Sequence, residues 1–373
     1  NEISNIRKKV KSLGFFEYVD VKKVSIDDNL VDIDIVIKEN QTGTFSAGAS
    51  FGTLDGVTLV TGLDESNIGG TGRSLKFMVN TSENNNEYSL NTTSKFFLNR
   101  DVYASFNLFN NRMNYKESSY ELKREGFSFN ASYSLSEYFQ QSVGYNLEER
   151  DVNPGSGASA SIVAEEGATV ISQISTSLTY NTLDNNQNPT EGMRIVGGSS
   201  LAGLGGDKKL LKFYNSGNLY KSYNDKLLIL DFGYTAGVVT GLDEDVLISD
   251  RYFLGGNNFR GFQQSGLGPR DKNSGDSLGG NIYYTGSVKA SFGIGLPPEL
   301  GLKGNLFTTI GTLTGIDKSN VSYHDDSSIR MSGGLGISWS SPFGPISVIL
   351  SQAILKESYD RTEAVSFGIG TKF

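Results

Sequence analysis

Apolar and polar side chains alternate with a period of two from about residue 43 to the end of this 373-residue chain. Such alternation is typical of β-strands with two different faces, because successive side chains point to opposite sides of a strand. One segment near the end alternates large apolar residues with small ones: Met331, Leu335, Ile337 and Trp339 against Ser332, Gly334, Gly336 and Ser338. The pattern predicts many strands with one apolar face and one small or polar face.

The connections between these segments predict how the strands are arranged. Short links alternate with longer polar links along the chain. The short links are 99–101, 223–225, 296–298 and 342–344, and the longer ones are 110–117, 151–167, 242–276 and 315–327. Short turns on one rim and long loops on the other are typical of outer-membrane barrels. We therefore predict an all-β transmembrane barrel of about 16 antiparallel strands over residues 43–373, whereas a soluble sandwich would give this alternation for only a few strands.

The first 39 residues have a different pattern. Apolar residues at helical spacing are followed by a glycine: Ile3, Ile6, Val10, Leu13 and Gly14. This spacing predicts a short amphipathic helix with a glycine cap. Two alternating segments on either side of the turn-forming residues 27–29 then predict a pair of strands. We predict a small α+β unit over residues 1–39, the C-terminal part of a domain that begins before this sequence.

Composition narrows the classes of function. The chain has 45 Gly, 22 Phe and 18 Tyr but no Cys, which excludes disulfides, zinc–thiolate sites and thiol nucleophiles. A formal net charge of −8 argues against a nucleic-acid partner. The sequence lacks the run of about 18 apolar residues that a membrane helix needs. A membrane strand, by contrast, exposes only every second side chain to lipid.

The only histidine of the sequence, His324, stands beside Asp325 and Asp326 in a long polar segment. A barrel enzyme with a nucleophile would need a base that activates it, and a solvated loop histidine is the interpretation that we favour. We predict no enzyme activity, no catalytic residue, no cofactor and no metal site.

The longest predicted loop contains Phe259, Arg260, Gly261 and Phe262 in succession. Five further segments accompany this motif in a fixed order along the chain: 180–184, 189–192, 268–271, 277–281 and 341–345. Together they resemble the BamA family of outer-membrane assembly factors, whose loop signature is a hydrophobic residue, Arg, Gly and an aromatic residue. The resemblance covers the whole chain, and the unit at residues 1–39 looks like the family's last periplasmic POTRA module.

The resemblance implies that Arg260 is folded into the barrel lumen, where an arginine needs an acceptor. The family's partner motif on a later strand is an aromatic residue, Asp and Gly at alternate positions, and it matches Phe307, Thr309 and Gly311. By parity all three face the lumen, but Thr309 stands where the family has Asp. Lys289 also faces the lumen where relatives often carry an acid. We therefore expect the loop to be anchored more weakly, or differently, than in the family.

The first and last barrel strands must pair with each other to remove two free edges. Glycine and other small residues weaken packing across such a seam, although from the residues alone glycine could equally relieve crowding at a barrel corner. The family resemblance implies a lateral gate at this seam, where the first strand templates a client strand by β-augmentation. The gate residues that it implies are Thr44, Phe45, Gly48, Phe367, Gly368, Gly370 and Phe373.

The resemblance implies a protein of the bacterial outer membrane, with its N-terminal module in the periplasm, that inserts unfolded outer-membrane β-barrel clients into the bilayer. The further partners that it implies are accessory outer-membrane lipoproteins and a bilayer containing lipopolysaccharide. Two alternatives share the barrel. A passive porin would not explain the N-terminal unit or the Arg260 motif, and a polypeptide secretion channel of the same superfamily, of the two-partner secretion type, is the second interpretation.

Overall fold

A small hairpin and a closed barrel make up the computed structural model, which describes residues 7, 10, 11, 14–27, 30–53, 55–317, 322–342 and 344–370. The hairpin consists of β1 (Phe16–Asp27) and β2 (Leu30–Glu39). The barrel begins with β3 (Gly43–Gly52). Most of the helix predicted over residues 1–13 lies outside the described residues.

The remaining strands follow in chain order: β4 (Gly56–Glu65), β5 (Arg73–Ser82), β6 (Asn85–Ser94), β7 (Tyr103–Tyr115), β8 (Tyr120–Ser134), β9 (Phe139–Pro154), β10 (Gly167–Asn181), β11 (Gly192–Tyr223), β12 (Leu228–Gly241), β13 (Arg270–Asp271), β14 (Ile282–Gly293), β15 (Leu302–Thr314), β16 (Tyr323–His324), β17 (Arg330–Ser341), β18 (Gly344–Leu355) and β19 (Val365–Ile369). The described helical segments are α1 (Ala160–Val163) and the 3₁₀ turns Ile68–Gly70, Phe97–Asn99, Lys116–Ser118, Ile248–Asp250 and Pro298–Leu300. Strands β13 and β16 pair with each other outside the barrel wall.

The long run β11 supplies two neighbouring strands of the wall. Its residues 194–206 pair with β10, and its residues 210–223 pair with β12. Gly203 lies against Lys209 and Gly198 against Tyr214, so the run folds back on itself through a tight turn between these contacts. With this hairpin the described residues form a closed antiparallel barrel of sixteen strands, which confirms the predicted fold class.

The two faces of the wall carry the side chains that the alternation predicts. On β15, Leu306 and Ile310 are 57% and 45% exposed, whereas Phe307 is buried in the lumen. Large apolar side chains are exposed in this way on most barrel strands, as expected for a wall that faces lipid. A soluble sandwich would bury this face, so the structure excludes it.

None of the described helices is long and apolar enough to span a membrane.

Loop lengths match the prediction for three of the four long links, the first of which is the connection 155–166 between β9 and β10. On the rim opposite the start of β3, the connections 242–281 and 315–329 are long, but 53–55 and 83–84 are tight turns. The long link predicted at 110–117 is wrong, because β7 continues to Tyr115. Alternating polar residues within a strand therefore gave the same signal as a polar loop.

An arginine placed on the lipid face of the wall should destabilise the barrel, whereas one placed on the lumen face should be tolerated. Val288 and Ser287 are neighbours at the middle of β14 and face lipid and lumen respectively. We expect Val288→Arg to lower the free energy of unfolding by about 2–4 kcal/mol, measured by denaturant titration in liposomes. Ser287→Arg is the matched control and should have a small effect; equal losses would contradict the assignment of the faces.

Candidate functional site in the barrel lumen and at the strand seam

The connection between β12 and β14, residues 242–281, packs against the inner wall and is named the lumen loop here. Its apolar side chains form three buried clusters with the wall. These clusters join Ile248 and Leu278 to Tyr120, Leu122 and Val152; Val246 to Ile171, Ala202, Leu210 and Val239; and Leu254, Phe259, Phe262 and Leu267 to Leu313. The loop therefore has its own core inside the barrel mouth.

The motif predicted from the sequence lies at the centre of the third cluster. Phe259 and Phe262 are fully buried, and their rings meet edge to face with centroids 5.3 Å apart. Gly261 between them has φ +92°, and a Cβ there would lie 2.8 Å from the Cβ of Ser332 on β17. Only glycine allows the loop backbone to approach the wall this closely without strain.

Arg260 projects from the same turn onto an aromatic face. Its guanidinium carbon lies 5.4 Å from the ring centroid of Phe307 on β15, a cation–π contact. Burial lowers the pKa of Arg260. Within the described part of the chain no carboxylate lies at ion-pair distance from it, so the ring of Phe307 is the partner that sequence reasoning could not name.

The partner strand carries its motif on the lumen face, as predicted. Thr309 is buried, and a Cβ at Gly311 would lie 2.3 Å from the carbonyl oxygen of Tyr284 on β14. Lys289 also faces the lumen, but its ammonium lies 3.4 Å from the carboxylate of Asp231 on β12. Its charge is therefore compensated, and the repulsion of Arg260 expected from Lys289 is reduced.

Sequence reasoning missed a buried charge cluster that holds the start of the lumen loop. Its members are Arg124 on β8, Glu148 and Arg150 on β9, Lys212 on β11 and Asp250 of the loop. The Asp250 carboxylate accepts from Arg150 at 2.7 Å and from Lys212 at 2.8 Å. Glu148 accepts from Arg124 at 2.7 Å and from Arg150 at 2.6 Å. Removing Arg150 or Asp250, whose side chains are 9% and 0% exposed, costs about 3–5 kcal/mol, because it leaves the buried partner charges unpaired.

Two further arginines brace the lumen loop from within. Arg251 donates to the carbonyl oxygens of Val246 and Leu278, at 2.8 and 3.1 Å. Arg270 donates to those of Ser265 and Gly275, at 3.1 and 2.7 Å. These bonds pair carbonyl groups that a loop folded away from water would otherwise leave without a donor. The loop therefore has a defined structure inside the lumen.

The seam that closes the barrel is its shortest ladder among the described residues. Strand β19 pairs with β3 at only two positions, Gly368 with Gly52 and Ile369 with Phe51, whereas β3 and β4 pair at ten. The rings of Phe367 and Phe51 lie 6.1 Å apart across it.

The same register carries Gly370 towards Ser50, where a Cβ on Gly370 would lie 3.8 Å from the Cβ of Ser50. Thr44, Phe45 and Gly48 belong to the part of β3 below this contact, and the described residues of β19 give them no ladder partner. Phe373 lies outside the described residues.

The lumen loop reaches the seam through the segment that leads into β19. The nitrogen of Glu363 donates to the oxygen of Gly261 at 3.1 Å, and that of Arg361 to the oxygen of Gly266 at 2.8 Å. Phe262 forms an isolated bridge with Thr362. The two regions singled out from the sequence are therefore joined by backbone hydrogen bonds.

A sixteen-strand barrel with an apolar outer belt and a loop folded into its lumen defines an outer-membrane β-barrel protein. Comparison with family models matches residues 67–373 to the Omp85 superfamily domain. The chain belongs to the Omp85 superfamily.

Known relatives agree with this membership. The chain is 30% identical to the outer membrane protein assembly factor BamA of Neorickettsia risticii, covering 100% of the chain and 51% of that protein. It is 28% identical to the sorting and assembly machinery component 50 homolog of Bos taurus, covering 85% of the chain and 68% of that protein. The crystal structure of BamA from Haemophilus ducreyi lacking POTRA domains 1–3 superposes with a TM-score of 0.87 at 20% identity, covering 100% of the chain and 78% of that structure. The chain spans about half the length of the BamA relative from Neorickettsia risticii.

A methyl group at Gly261 should push the lumen loop away from the wall. We expect Gly261→Ala to destabilise the loop by about 1–3 kcal/mol, because it combines a strained φ with a 2.8 Å contact to Ser332. The measurement is protection of the loop from protease in reconstituted protein. Gly275→Ala is the matched control, since Gly275 has φ +76° but nothing nearer than 3.6 Å. Equal loss of protection in both variants would contradict the close-approach explanation.

Acid should release the start of the lumen loop only at low pH. Burial raises the pKa of the Asp250 carboxyl, but Arg150 and Lys212 lower it by more, so its pKa lies below the ordinary value. A carboxyl whose pKa is lower in the folded protein than in the unfolded one stabilises the fold at pH values above its unfolded pKa, about 3.9. This stabilisation is lost as the pH falls through the pKa of the carboxyl in the folded protein. We expect a fluorophore on a cysteine introduced at Asn257 to report an immobile loop down to about pH 4 and a mobile one below it. Release that begins near neutral pH would contradict this assignment.

Proposed function

We propose that the chain is the membrane-embedded part of a machine that inserts β-barrel proteins into the outer membrane through a lateral gate between β3 and β19. The observation that carries this proposal is the seam, which has two register pairs among the described residues. In lipid an unpaired backbone group costs several kcal/mol, so a short ladder is the place where a barrel wall opens most readily. The relatives named as assembly factors support the same activity.

In the proposed mechanism the edge of β3 receives the client. Thr44, Phe45 and Gly48 lie on the part of β3 that has no described ladder partner across the seam, and an extended client strand would pair with that edge by β-augmentation. Phe367, Gly368 and Gly370 belong to the edge that withdraws. The driving force is the client's own folding, which buries its apolar face in lipid and satisfies its backbone hydrogen bonds.

The lumen loop would keep the withdrawing edge in place between cycles. Phe259, Arg260, Gly261 and Phe262 pack on the wall beside Phe307, Thr309 and Gly311, and the same turn is hydrogen-bonded to the lead-in of β19. In this proposal the cation–π contact of Arg260 with Phe307 takes the place of an arginine–carboxylate pair.

The proposal gives residues 1–39 a periplasmic position as part of a POTRA module, ahead of the barrel at 43–373. The hairpin leaves Ile33, Ile35 and Ile37 about half exposed, a face that further parts of such a module would cover. The partners of the whole protein would be unfolded barrel clients and accessory outer-membrane lipoproteins. The activity requires no catalytic residue, and the ring of His324 is stacked on Tyr359 at 4.8 Å.

A disulfide across the seam should stop client insertion. Ser50→Cys with Gly370→Cys places two Cβ atoms about 3.8 Å apart, the mean separation in disulfides, and the chain has no other cysteine. We expect the full-length protein containing this chain, reconstituted in liposomes, to accelerate protease-resistant folding of an unfolded barrel client when reduced and to lose that acceleration when oxidised.

The matched control is a disulfide in a continuous part of the wall. Ser132 and Ser142 face each other on β8 and β9 with hydroxyl oxygens 2.8 Å apart, and Ser132→Cys with Ser142→Cys should leave client folding unchanged after oxidation. Client folding that is insensitive to the seam disulfide contradicts the lateral gate. Passage of a soluble polypeptide through the lumen without client folding would favour the secretion channel instead.

A further inference from the structure

Asp250 ties the lumen loop to the wall far from the seam. Its cationic partners are Arg150 on β9 and Lys212 on the second half of β11. Counted from β3, these are the seventh and tenth of the sixteen wall strands, so the contact lies across the lumen from the β3–β19 seam. Asp250 is 2% exposed, and its charge is therefore held by these partners rather than by water.

The middle of the same loop, residues 261–266, is fixed beside the seam. Gly261 and Gly266 accept hydrogen bonds from the backbone of Glu363 and Arg361, and Gln263 donates back to the oxygen of Arg361 at 3.0 Å. The segment 361–363 precedes β19 by one residue. Any displacement of this middle part of the loop must therefore move the segment that leads into β19.

The residues between Asp250 and this middle part form an ordered connection. Tyr252 exchanges two backbone hydrogen bonds with Gly280, each 2.9 Å long. Leu254 is buried and forms a bridge with Leu267. With these bonds and the burial of Leu254, the connection behaves as a strut, because it cannot change length without breaking them.

We infer that Asp250 is a positioning residue for the seam: by locking the loop to the wall opposite, it holds β19 in register with β3. Ile248 packs on Tyr120 and Val152 close to the same place, but apolar contacts permit sliding that paired charges do not. The importance of this residue for client insertion rests on the lateral gate proposed above, whereas its effect on the seam can be measured independently of it.

The experiment measures how fast a seam disulfide forms. The reduced protein carrying Ser50→Cys and Gly370→Cys is reconstituted in liposomes and oxidised mildly, with and without Asp250→Asn. We expect the variant to cross-link about fivefold or more slowly, the lower end of the coupling that is typical between distant sites, because the two cysteines spend less time in register. Asp250→Glu, which keeps the charge, should restore much of the rate.

Two controls separate positioning from general loosening. Glu244→Gln removes the charge of a partly exposed pair with Lys208, 2.9 Å long, from the same loop and should not change the rate of disulfide formation at the seam. The Ser132→Cys and Ser142→Cys pair in the continuous wall should cross-link equally fast with and without Asp250→Asn. Folding is checked by heat-modifiable electrophoretic mobility, and Lys212→Gln, which leaves the Arg150 contact intact, replaces Asp250→Asn if that variant does not fold.

The inference would be overturned if the disulfide between positions 50 and 370 formed as fast in Asp250→Asn as in Glu244→Gln. It would also be overturned if Asp250→Asn slowed that disulfide and the one between positions 132 and 142 equally. Client folding is assayed in parallel on the protein without Asp250→Asn. If that protein folds no client, the proposed function fails while the seam rates still decide the role of Asp250. If it folds clients and the seam rates do not change, only the positioning role fails.

Discussion

Hydrogen bonding of the backbone is the constraint on which this barrel depends. Lipid offers no donors or acceptors, so each strand must find both neighbours within the wall. Between neighbouring barrel strands the other described ladders have five register pairs or more, but the one between β3 and β19 has two among the described residues. The same requirement that makes the barrel stable therefore concentrates its weakness in one place, next to Gly52 and Gly368.

The lumen loop solves a second problem, the burial of a long polar segment away from water. Its carbonyl groups accept from Arg251 and Arg270, and its carboxylate Asp250 is paired with two cations of the wall. Buried ion pairs are weak evidence for stability, since desolvation offsets their attraction. Their effect here is on geometry, because a loop held by directional bonds to opposite sides of the lumen has one position.

Thr309 shows how a motif can change while its position is kept. The sequence indicated a weaker or different anchor for the loop, because Thr309 stands where the family has Asp, and in the structure Arg260 lies over the ring of Phe307. Lys289 is paired with Asp231 instead of facing the loop unpaired. Arg260 and Lys289 therefore both have partners although Thr309 and Lys289 differ from the family pattern. The charge cluster around Asp250 supplies an ionic anchor elsewhere in the loop.

The sequence by itself determined the strand faces and the lumen side of Phe307 and Thr309, because side-chain direction in a strand follows residue parity alone. The number of alternating segments predicted the sixteen strands. It misassigned 110–117, since polar alternation in a protruding strand resembles a loop. Only the tertiary structure decided the charge cluster of Arg150, Lys212 and Asp250, the ring partner of Arg260 and the two-pair seam. These features join residues separated by tens to hundreds of positions, and no local period records which of many charged or aromatic side chains will meet when the wall closes.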